Sequence, residues 1–263
     1  MTMTIDPIAA AAERLRQAYA GAPVAPLRDL LEPLDIERAY AVQAHNTEVW
    51  KAGGRRIVGR KIGLTAKAVQ QQFGVDRPDF GVLFEDMRIA DGGRLGPGLL
   101  QPKAEAEVAL VLGRDVTAAE PGVEEVAEAT DFVVPAIEVV DSRIADWKIS
   151  FADTVADNGS SARFVLGGEP RPLPGLDLYS CGMVLEIDGQ VASVGAGAAC
   201  LGHPLKAAAW LARTLAERGE RLCAGDVVLT GALGPMVALA PGQHVRATIG
   251  GLGTVSFSYE GAR

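Results

Sequence analysis

Residues 102–112 read Pro-Lys-Ala-Glu-Ala-Glu-Val-Ala-Leu-Val-Leu, a pattern that predicts a β-strand. Because side chains alternate between the two faces of a strand, Glu105 and Glu107 should point the same way, with Cα atoms about 6.5 to 7 Å apart. Two such carboxylates repel each other in a half-buried site unless a cation lies between them. Taken alone, the pair is more often a solvated strand face.

A third glutamate, Glu138, lies in the apolar run Val-Val-Pro-Ala-Ile-Glu-Val-Val of residues 133–140. This run predicts a strand that is buried on both faces, where an unpaired carboxylate is costly. One interpretation is a structural salt bridge to Arg143 or Arg163. The other is a metal site shared with the two glutamates of the preceding strand, whose oxygen-only ligands suit Mg²⁺ or Mn²⁺.

The first 55 residues are predicted to be helical. Asp6 and Pro7 supply an N-cap and a first-turn proline for a helix that reaches Ala20, and a second helix begins at Asp35 and ends at Gly53. From residue 56 the chain changes to short apolar segments separated by glycines. We therefore predict an N-terminal helical arm over residues 1–55 and a catalytic domain over residues 56–263.

The second part of the chain is predicted to be rich in strands. These are expected at residues 57–62, 105–112, 132–140, 163–166, 184–187, 191–194, 227–230, 244–249 and 254–259. One clear helix is predicted over residues 204–218, and the dipeptide Asp188-Gly189 favours a type I′ hairpin turn. Because strands outnumber helices and do not alternate with them, we predict an α+β fold with a mixed, mostly antiparallel sheet.

Composition excludes several classes of function. The 263-residue chain has a formal net charge of −8 and no basic run with interleaved aromatic residues, so we expect no nucleic-acid partner. Its three cysteines have no CxxC spacing, which argues against disulfides and zinc clusters. No signal peptide and no apolar stretch of about 18 residues is present, so a cytoplasmic protein without a membrane partner is expected.

Other candidate residues give weaker signals. Lys61 lies among glycines that permit close approach of a ligand, although such lysines are usually exposed. Asp79 follows a proline and reads as an ordinary turn aspartate. Residues 230–235 form a glycine-rich turn that either presents backbone N–H groups to a carboxylate or is a plain loop. Dinucleotide, Walker, GxSxG and HExxH motifs are absent.

From its first helix to its last strand, the sequence resembles the 2-keto-4-pentenoate hydratases of aromatic meta-cleavage pathways, which are members of the fumarylacetoacetate hydrolase superfamily. The resemblance rests on six segments in the same order, residues 25–30, 59–65, 76–81, 153–158, 200–205 and 229–236. It implies a mixed β-sheet roll like the C-terminal domain of that superfamily.

The resemblance also implies a set of site residues. Three are metal ligands for Mg²⁺ or Mn²⁺, namely Glu105, Glu107 and Glu138. Two are acid/base or orienting groups, Lys61 and Asp79, and two are contacts to the substrate carboxylate, Ser160 and Thr230.

The implied reaction is the addition of water to 2-hydroxypenta-2,4-dienoate, a small 2-keto-acid precursor, to give 4-hydroxy-2-oxopentanoate. The implied assembly is a pentameric or decameric homo-oligomer, with a pathway aldolase or decarboxylase as partner. Three alternatives stay open: a 4-oxalocrotonate decarboxylase, a non-catalytic metal-loaded subunit of a hydratase/decarboxylase complex, and an acylpyruvate hydrolase. Hydrolytic relatives use a histidine near the metal, and none of the histidines here can be placed in that role, which favours the hydratase.

Overall fold

A computed structural model describes residues 6–261 of the chain. Its α-helices are α1 (Pro7–Tyr19), α2 (Ile36–Ala52), α3 (Lys67–Phe73), α4 (Val123–Ala129), α5 (Phe151–Ala156) and α6 (Pro204–Glu217). Its strands are β1 (Ile57–Gly63), β2 (Asp79–Phe84), β3 (Arg88–Ile89), β4 (Gly93–Leu95), β5 (Lys103–Leu112), β6 (Thr130–Val140), β7 (Ser161–Leu166), β8 (Gly182–Ile187), β9 (Gln190–Ala196), β10 (Val227–Ala232), β11 (Val237–Ala238), β12 (His244–Ile249) and β13 (Gly253–Tyr259).

The strands form two sheets. The larger sheet has eight strands in the order β2-β1-β10-β5-β6-β7-β3, with β11 paired to β5, and the smaller has five in the order β4-β13-β12-β8-β9. Most neighbours are antiparallel, and the parallel pairs are β1 with β10, β3 with β7 and β4 with β13. The predicted α+β class with a mixed, mostly antiparallel sheet is therefore confirmed.

The larger sheet curls into a roll whose interior is apolar. Nonpolar side chains from five of its strands pack together there, among them Val82, Ala109, Val134, Phe164 and Leu229. Side chains two residues apart in a strand share a face, so Glu107 on β5 and Glu138 on β6 belong to the same inner surface as their apolar neighbours. Glu107 and Glu138 therefore lie on the inner surface of the roll, which also forms its apolar core.

The two N-terminal helices are confirmed. The Asp6 side chain accepts a hydrogen bond from the Ile8 N–H at 3.0 Å, so the predicted cap is present. Asp35, the predicted start of the second helix, caps α2 by accepting a hydrogen bond from the Arg38 N–H at 3.2 Å. Leu15 of α1 and other residues of both helices are buried in the main hydrophobic core. The division of the chain at residue 56 stays a prediction.

The strands predicted from the sequence are all present, and the turn at Asp188-Gly189 has the expected positive φ angles of 52° and 76°. The interpretation of Asp79 as a turn residue was wrong, because this residue begins β2. Three helices of six or seven residues, α3 to α5, were not predicted, since two turns show only a weak period. Within residues 6–261, no helix combines the length and the apolar composition that crossing a bilayer requires.

Candidate metal centre and active site

Three glutamates meet where β5 and β6 pair. Glu105 lies directly opposite Glu138 in the antiparallel register, and Glu107 lies two residues further along β5 on the same face. One oxygen from each carboxylate can be chosen so that all three lie within 4.8 Å of one another. Glu107 and Glu138 are 0% exposed, whereas Glu105 is partly exposed. The strand register therefore gathers the three predicted ligands.

Hydrogen-bond donors of the protein reach only part of this cluster. Within the described part of the chain, Glu107 Oε1 and both Glu138 oxygens have no hydrogen-bond partner. Burial raises the pKa of Glu107 well above its usual value, and repulsion from Glu138 and Glu105 adds to this. Burial likewise raises the pKa of Glu105 to about 7, with Lys61 opposing the rise. An all-oxygen donor set that is largely buried and has several oxygens without a hydrogen-bond donor fits a hard divalent cation.

Gly231 orients one of the carboxylates. Its backbone N–H donates a hydrogen bond to Glu107 Oε2 at 2.7 Å. Its φ of +112° favours glycine, and a Cβ atom at this position would lie 2.5 Å from Thr65 Cγ2. Gly231, the last but one residue of β10, therefore presents its N–H group to a carboxylate of the protein itself.

Lys61 is the cation nearest to Glu138. Its Nζ lies 3.1 Å from Glu138 Oε2, at ion-pair distance but without hydrogen-bond geometry, and its side chain is 3% exposed. Burial alone would lower the pKa of Lys61, but the surrounding carboxylates, Glu138 foremost, raise it above its usual value. The interpretation in which Glu138 forms a salt bridge to Arg143 or Arg163 was wrong, because Arg143 pairs with Asp157 and Arg163 donates to a backbone carbonyl.

Asp79 lies at the start of β2, opposite Gly63 of β1. It is buried, and neither of its carboxylate oxygens has a hydrogen-bond partner within residues 6–261. A Cβ atom at residue 63 would overlap Asp79 Oδ1, so glycine at this position leaves room for the carboxylate. Burial raises the pKa of Asp79, while the nearby Lys61 opposes the rise. An unpaired buried carboxyl of this kind is suited to proton transfer.

Ser160 completes the same cavity from a 3-10 turn at Asn158–Ser160. Its hydroxyl is buried without a partner in the described range, and its φ is +55°. The turn is held to β2 by the Asn158 amide, which accepts from the Val82 N–H at 2.7 Å and donates to the Val82 carbonyl at 2.9 Å. Gly159 packs on the Lys61 side chain, where a Cβ atom would approach Lys61 Cδ to 3.2 Å. The turn therefore fixes both Ser160 and Lys61.

Thr230 does not join this group. Its hydroxyl donates to the Val108 carbonyl at 2.9 Å, and the residue is fully buried within the sheet. It does not line the cavity that Lys61, Asp79 and Ser160 share. Its contact with the substrate stays a prediction, while the other six predicted site residues lie together around the carboxylate cluster.

Several cavity residues were not predicted from the sequence. A cavity of about 70 Å³ contains the polar groups, and a second of about 420 Å³ adjoins it. Their walls are largely apolar and include Leu64, Val69, Phe73, Trp147, Ile149 and Met236. Val69 and Phe73 are four residues apart in α3 and precede Gly74, whose φ of +69° ends the helix. That spacing followed by glycine was a usable helix signal.

Comparison with known proteins identifies similar sequences and structures. The family described as fumarylacetoacetate (FAA) hydrolase C-terminal matches residues 56–258. The chain is 55% identical over 249 residues to 2-keto-4-pentenoate hydratase 1 of Dechloromonas aromatica, covering 94% of this chain and 95% of that one. It is also 55% identical over 254 residues to 2-keto-4-pentenoate hydratase of Burkholderia vietnamiensis, covering 96% and 97%.

The chain also resembles a solved structure over nearly the whole length of both proteins. This is 4-oxalocrotonate decarboxylase from Pseudomonas putida G7, complexed with magnesium and adipate. The two share 37% identity and a TM-score of 0.92, with 98% of this chain and 99% of that chain covered. The similarity thus extends beyond the roll to the N-terminal helices.

Proposed function

The chain belongs to the fumarylacetoacetate hydrolase family, and we propose that it is a metal-dependent hydratase acting on 2-hydroxypenta-2,4-dienoate. The product would be 4-hydroxy-2-oxopentanoate, an intermediate of aromatic meta-cleavage catabolism. The observation that carries the proposal is the cluster of three glutamates beside Lys61 and Asp79. The relatives named 2-keto-4-pentenoate hydratase support the choice of reaction.

Glu105, Glu107 and Glu138 would hold Mg²⁺ or Mn²⁺. When bound, the cation supplies Lewis-acid stabilisation of the negative charge that develops on the C2 oxygen of the substrate. Glu107 Oε1 and both Glu138 oxygens are buried without a hydrogen-bond donor among the described residues, which favours such a cation.

Asp79 would transfer protons in the reaction, and Lys61 would stabilise the charge that Asp79 then carries. To become the α,β-unsaturated ketone, the dienol must gain a proton at C5 from Asp79 and return the proton of its C2 hydroxyl to the carboxylate that Asp79 leaves. Water then adds across C3 and C4, with its oxygen at C4 and a proton at C3. Burial raises the pKa of Asp79, and in its protonated form this residue can deliver a proton to C5. The Lys61 ammonium group then stabilises the carboxylate that is left.

Ser160 would bind the substrate carboxylate. Its hydroxyl is buried and unpartnered among the described residues, and it lines the cavity that contains Lys61 and Asp79. A hydroxyl that would otherwise stay unpaired gains most from a charged acceptor, so the contact would help to orient the substrate.

The test is the Glu107→Gln variant of the purified protein, assayed with Mg²⁺ through the loss of dienol absorbance. We expect kcat to fall by at least about 1,000-fold, because a bound metal contributes several kcal/mol to such reactions. Glu124→Gln, which removes an exposed glutamate, is the matched control and should keep full activity. Full turnover by Glu107→Gln would show that the metal site is misassigned, and no turnover by the wild-type protein would favour a non-catalytic subunit.

Decarboxylation of 4-oxalocrotonate is the second candidate, because a decarboxylase structure matches this chain with a TM-score of 0.92. Both reactions use an enolate at the same C2 oxygen, so the carboxylate cluster alone does not separate them. Assays of the monoacid dienol and of the corresponding diacid, each with Mn²⁺ or Mg²⁺, separate the two. Release of CO₂ as the main reaction would support the decarboxylase.

We further propose that the protein is a cytoplasmic homo-oligomer, pentameric or decameric, that works beside a pathway aldolase or decarboxylase. Exposed apolar side chains on β9, Val191 and Val194, are compatible with contacts between subunits. Light scattering coupled to gel filtration measures the assembly. A monomeric mass at micromolar concentration would contradict it.

A further inference from the structure

A separate cavity lies on the other side of the turn that carries Ser160. It has a volume of about 200 Å³ and lies between the ends of α1 and α2 and the start of β7. The turn divides it from the catalytic cavity, because Ser160 lines the catalytic cavity whereas Asn158 and Ser161 line this one. We call it the arginine cavity, after its wall residues Arg55 and Arg163.

The arginine cavity has an excess of positive charge, although the chain as a whole has a formal net charge of −8. Its charged wall residues are Arg55, Arg163 and Asp86. Arg55 is already paired, since its guanidinium donates to Asp86 at 2.8 Å and lies 4.1 Å from the centre of the Phe84 ring. The positive charge of Arg163 is therefore left without a counterpart in the cavity wall.

Arg163 is half-buried, and it forms no ion pair within residues 6–261. Its guanidinium donates to the carbonyl of the adjacent Ala162 at 2.8 Å. A guanidinium has five N–H donors, so several of these have no acceptor in the described chain. Burial lowers the pKa of Arg163, and Asp86 opposes the fall. A cation that is partly removed from water without a counter-charge is costly, so a bound anion would stabilise it.

Ser161 adds a hydroxyl group to the same wall. Ser161 and Arg163 are two residues apart on β7, so their side chains share one face of that strand. Ser161 is 1% exposed, and its hydroxyl has no hydrogen-bond partner in the described part of the chain. A buried hydroxyl without a partner costs free energy, so an acceptor atom in the cavity would stabilise this residue as well.

We propose that the arginine cavity binds a small oxyanion, a carboxylate or a phosphate, between the Arg163 guanidinium and the Ser161 hydroxyl. A guanidinium binds either kind of anion through two parallel hydrogen bonds, and the serine hydroxyl donates a third. A volume of about 200 Å³ equals that of about seven water molecules, which limits the ligand to a small molecule. This site is separate from the catalytic cavity and would exist whatever reaction that cavity performs.

The first experiment titrates the Mg²⁺-loaded protein by calorimetry with sodium phosphate and, separately, with sodium acetate, at an ionic strength held constant with sodium chloride. We expect saturable binding to the wild type. Arg163→Met should weaken this binding at least about tenfold and Ser161→Ala about fivefold, because each removes a hydrogen-bond donor to a charged group. Tighter binding of phosphate would assign the site to phosphate groups, and tighter binding of acetate would assign it to carboxylates.

Arg246→Met is the matched control for the loss of one arginine. Arg246 is an exposed residue of β12 outside the arginine cavity, so this variant should bind the anion as the wild type does. Absence of saturable binding to the wild type, or equal weakening by Arg163→Met and Arg246→Met, would overturn the proposal.

The second experiment measures thermal unfolding. At an anion concentration ten times Kd, the Tm of the wild type should rise by about 3 to 6 °C. The Tm of Arg163→Met should not respond to the anion, and in buffer without phosphate or carboxylate it should equal or exceed that of the wild type, because an unpaired charge has been removed. Arg163→Lys keeps the charge without the paired donors and should show a smaller rise.

A contact between subunits would give a different result. If Arg163→Met lowers the mass seen in gel filtration while neither anion changes the Tm of the wild type, the partner of Arg163 is another copy of the chain. That result would overturn the proposal.

Discussion

Metal-free protein should lose stability as the pH rises from about 4.5 to 7, and Glu105 is the residue through which this can be measured. Its pKa in the folded protein is raised from 4.5 to about 7, chiefly by burial. Below pH 4.5 the carboxyl is protonated in both the folded and the unfolded chain, so its contribution to the free energy of unfolding is fully present. Between pH 4.5 and 7 the unfolded chain releases the proton and the folded chain keeps it, so the free energy of unfolding falls.

The magnitude follows from the difference between the two pKa values. At about 1.4 kcal/mol per pH unit, the rise from 4.5 to about 7 corresponds to about 3 kcal/mol. Glu105 is partly exposed, so solvent screening makes this an upper bound. For a chain of this size, about 3 kcal/mol corresponds to a change in Tm of about 6 to 12 °C.

The assay is thermal unfolding of chelator-treated protein between pH 4.5 and 8, followed by circular dichroism. Glu105→Gln removes the titrating group, so the Tm difference between variant and wild type should grow with pH and level off above pH 7. Adding Mg²⁺ should raise the Tm of the wild type and have a much smaller effect on the variant. A Tm difference that does not change with pH, or equal stabilisation of both proteins by Mg²⁺, would refute the reasoning.

Three further substitutions test other parts of the site. Lys61→Met should lower kcat by at least about 100-fold, since it removes the charge that stabilises the Asp79 carboxylate, and steady-state kinetics on the dienol measure this. Asp157→Asn should destabilise the fold by about 3 to 5 kcal/mol in urea unfolding, because it leaves Arg143 buried without its ion-pair partner. Gly81→Ala should cost about 1 to 3 kcal/mol and reduce activity, because its Cβ atom would overlap the carbonyl oxygen of residue 158.

Matched controls are available for Asp157→Asn and Gly81→Ala. Asp29→Asn breaks an exposed ion pair with Arg14 and should cost less than about 1 kcal/mol. Gly96→Ala adds a Cβ atom with no neighbour within 4 Å and should leave stability and rate unchanged. Equal losses in test and control variants would mean that burial and close packing do not govern these positions.

The local features of this protein can be predicted from its sequence. The caps at Asp6 and Asp35, the turn at Asp188-Gly189 and the strand alternation around Glu107 depend on residues close together in the chain, and the structure has them all. Glu105 and Glu107 were singled out by their alternation in a predicted strand, and Glu138 because it interrupts an apolar run, which are also local signals. Their role together as metal ligands was implied by the family resemblance.

The pairings between residues that are far apart in the sequence cannot be predicted from it. The register that places Glu105 opposite Glu138 and the curl that brings Lys61 to Glu138 depend on the packing of the whole roll. Asp79 looked like a turn residue because a proline precedes it, and tertiary pairing with β1 overrides that preference. Trp147 reaches the cavity from a 3-10 turn and has no periodic signal.

The Asn158 amide has a consequence for how the larger sheet ends. β2 is the last strand on its side of that sheet, and unpaired backbone groups on a terminal strand invite pairing with a foreign strand. The Asn158 side chain hydrogen-bonds to both the N–H and the carbonyl of Val82, so it blocks the centre of that sheet edge. Ser160, two residues further on in the same turn, lines the cavity that holds Lys61 and Asp79, so the turn that borders this cavity also covers the sheet edge against pairing with a foreign strand.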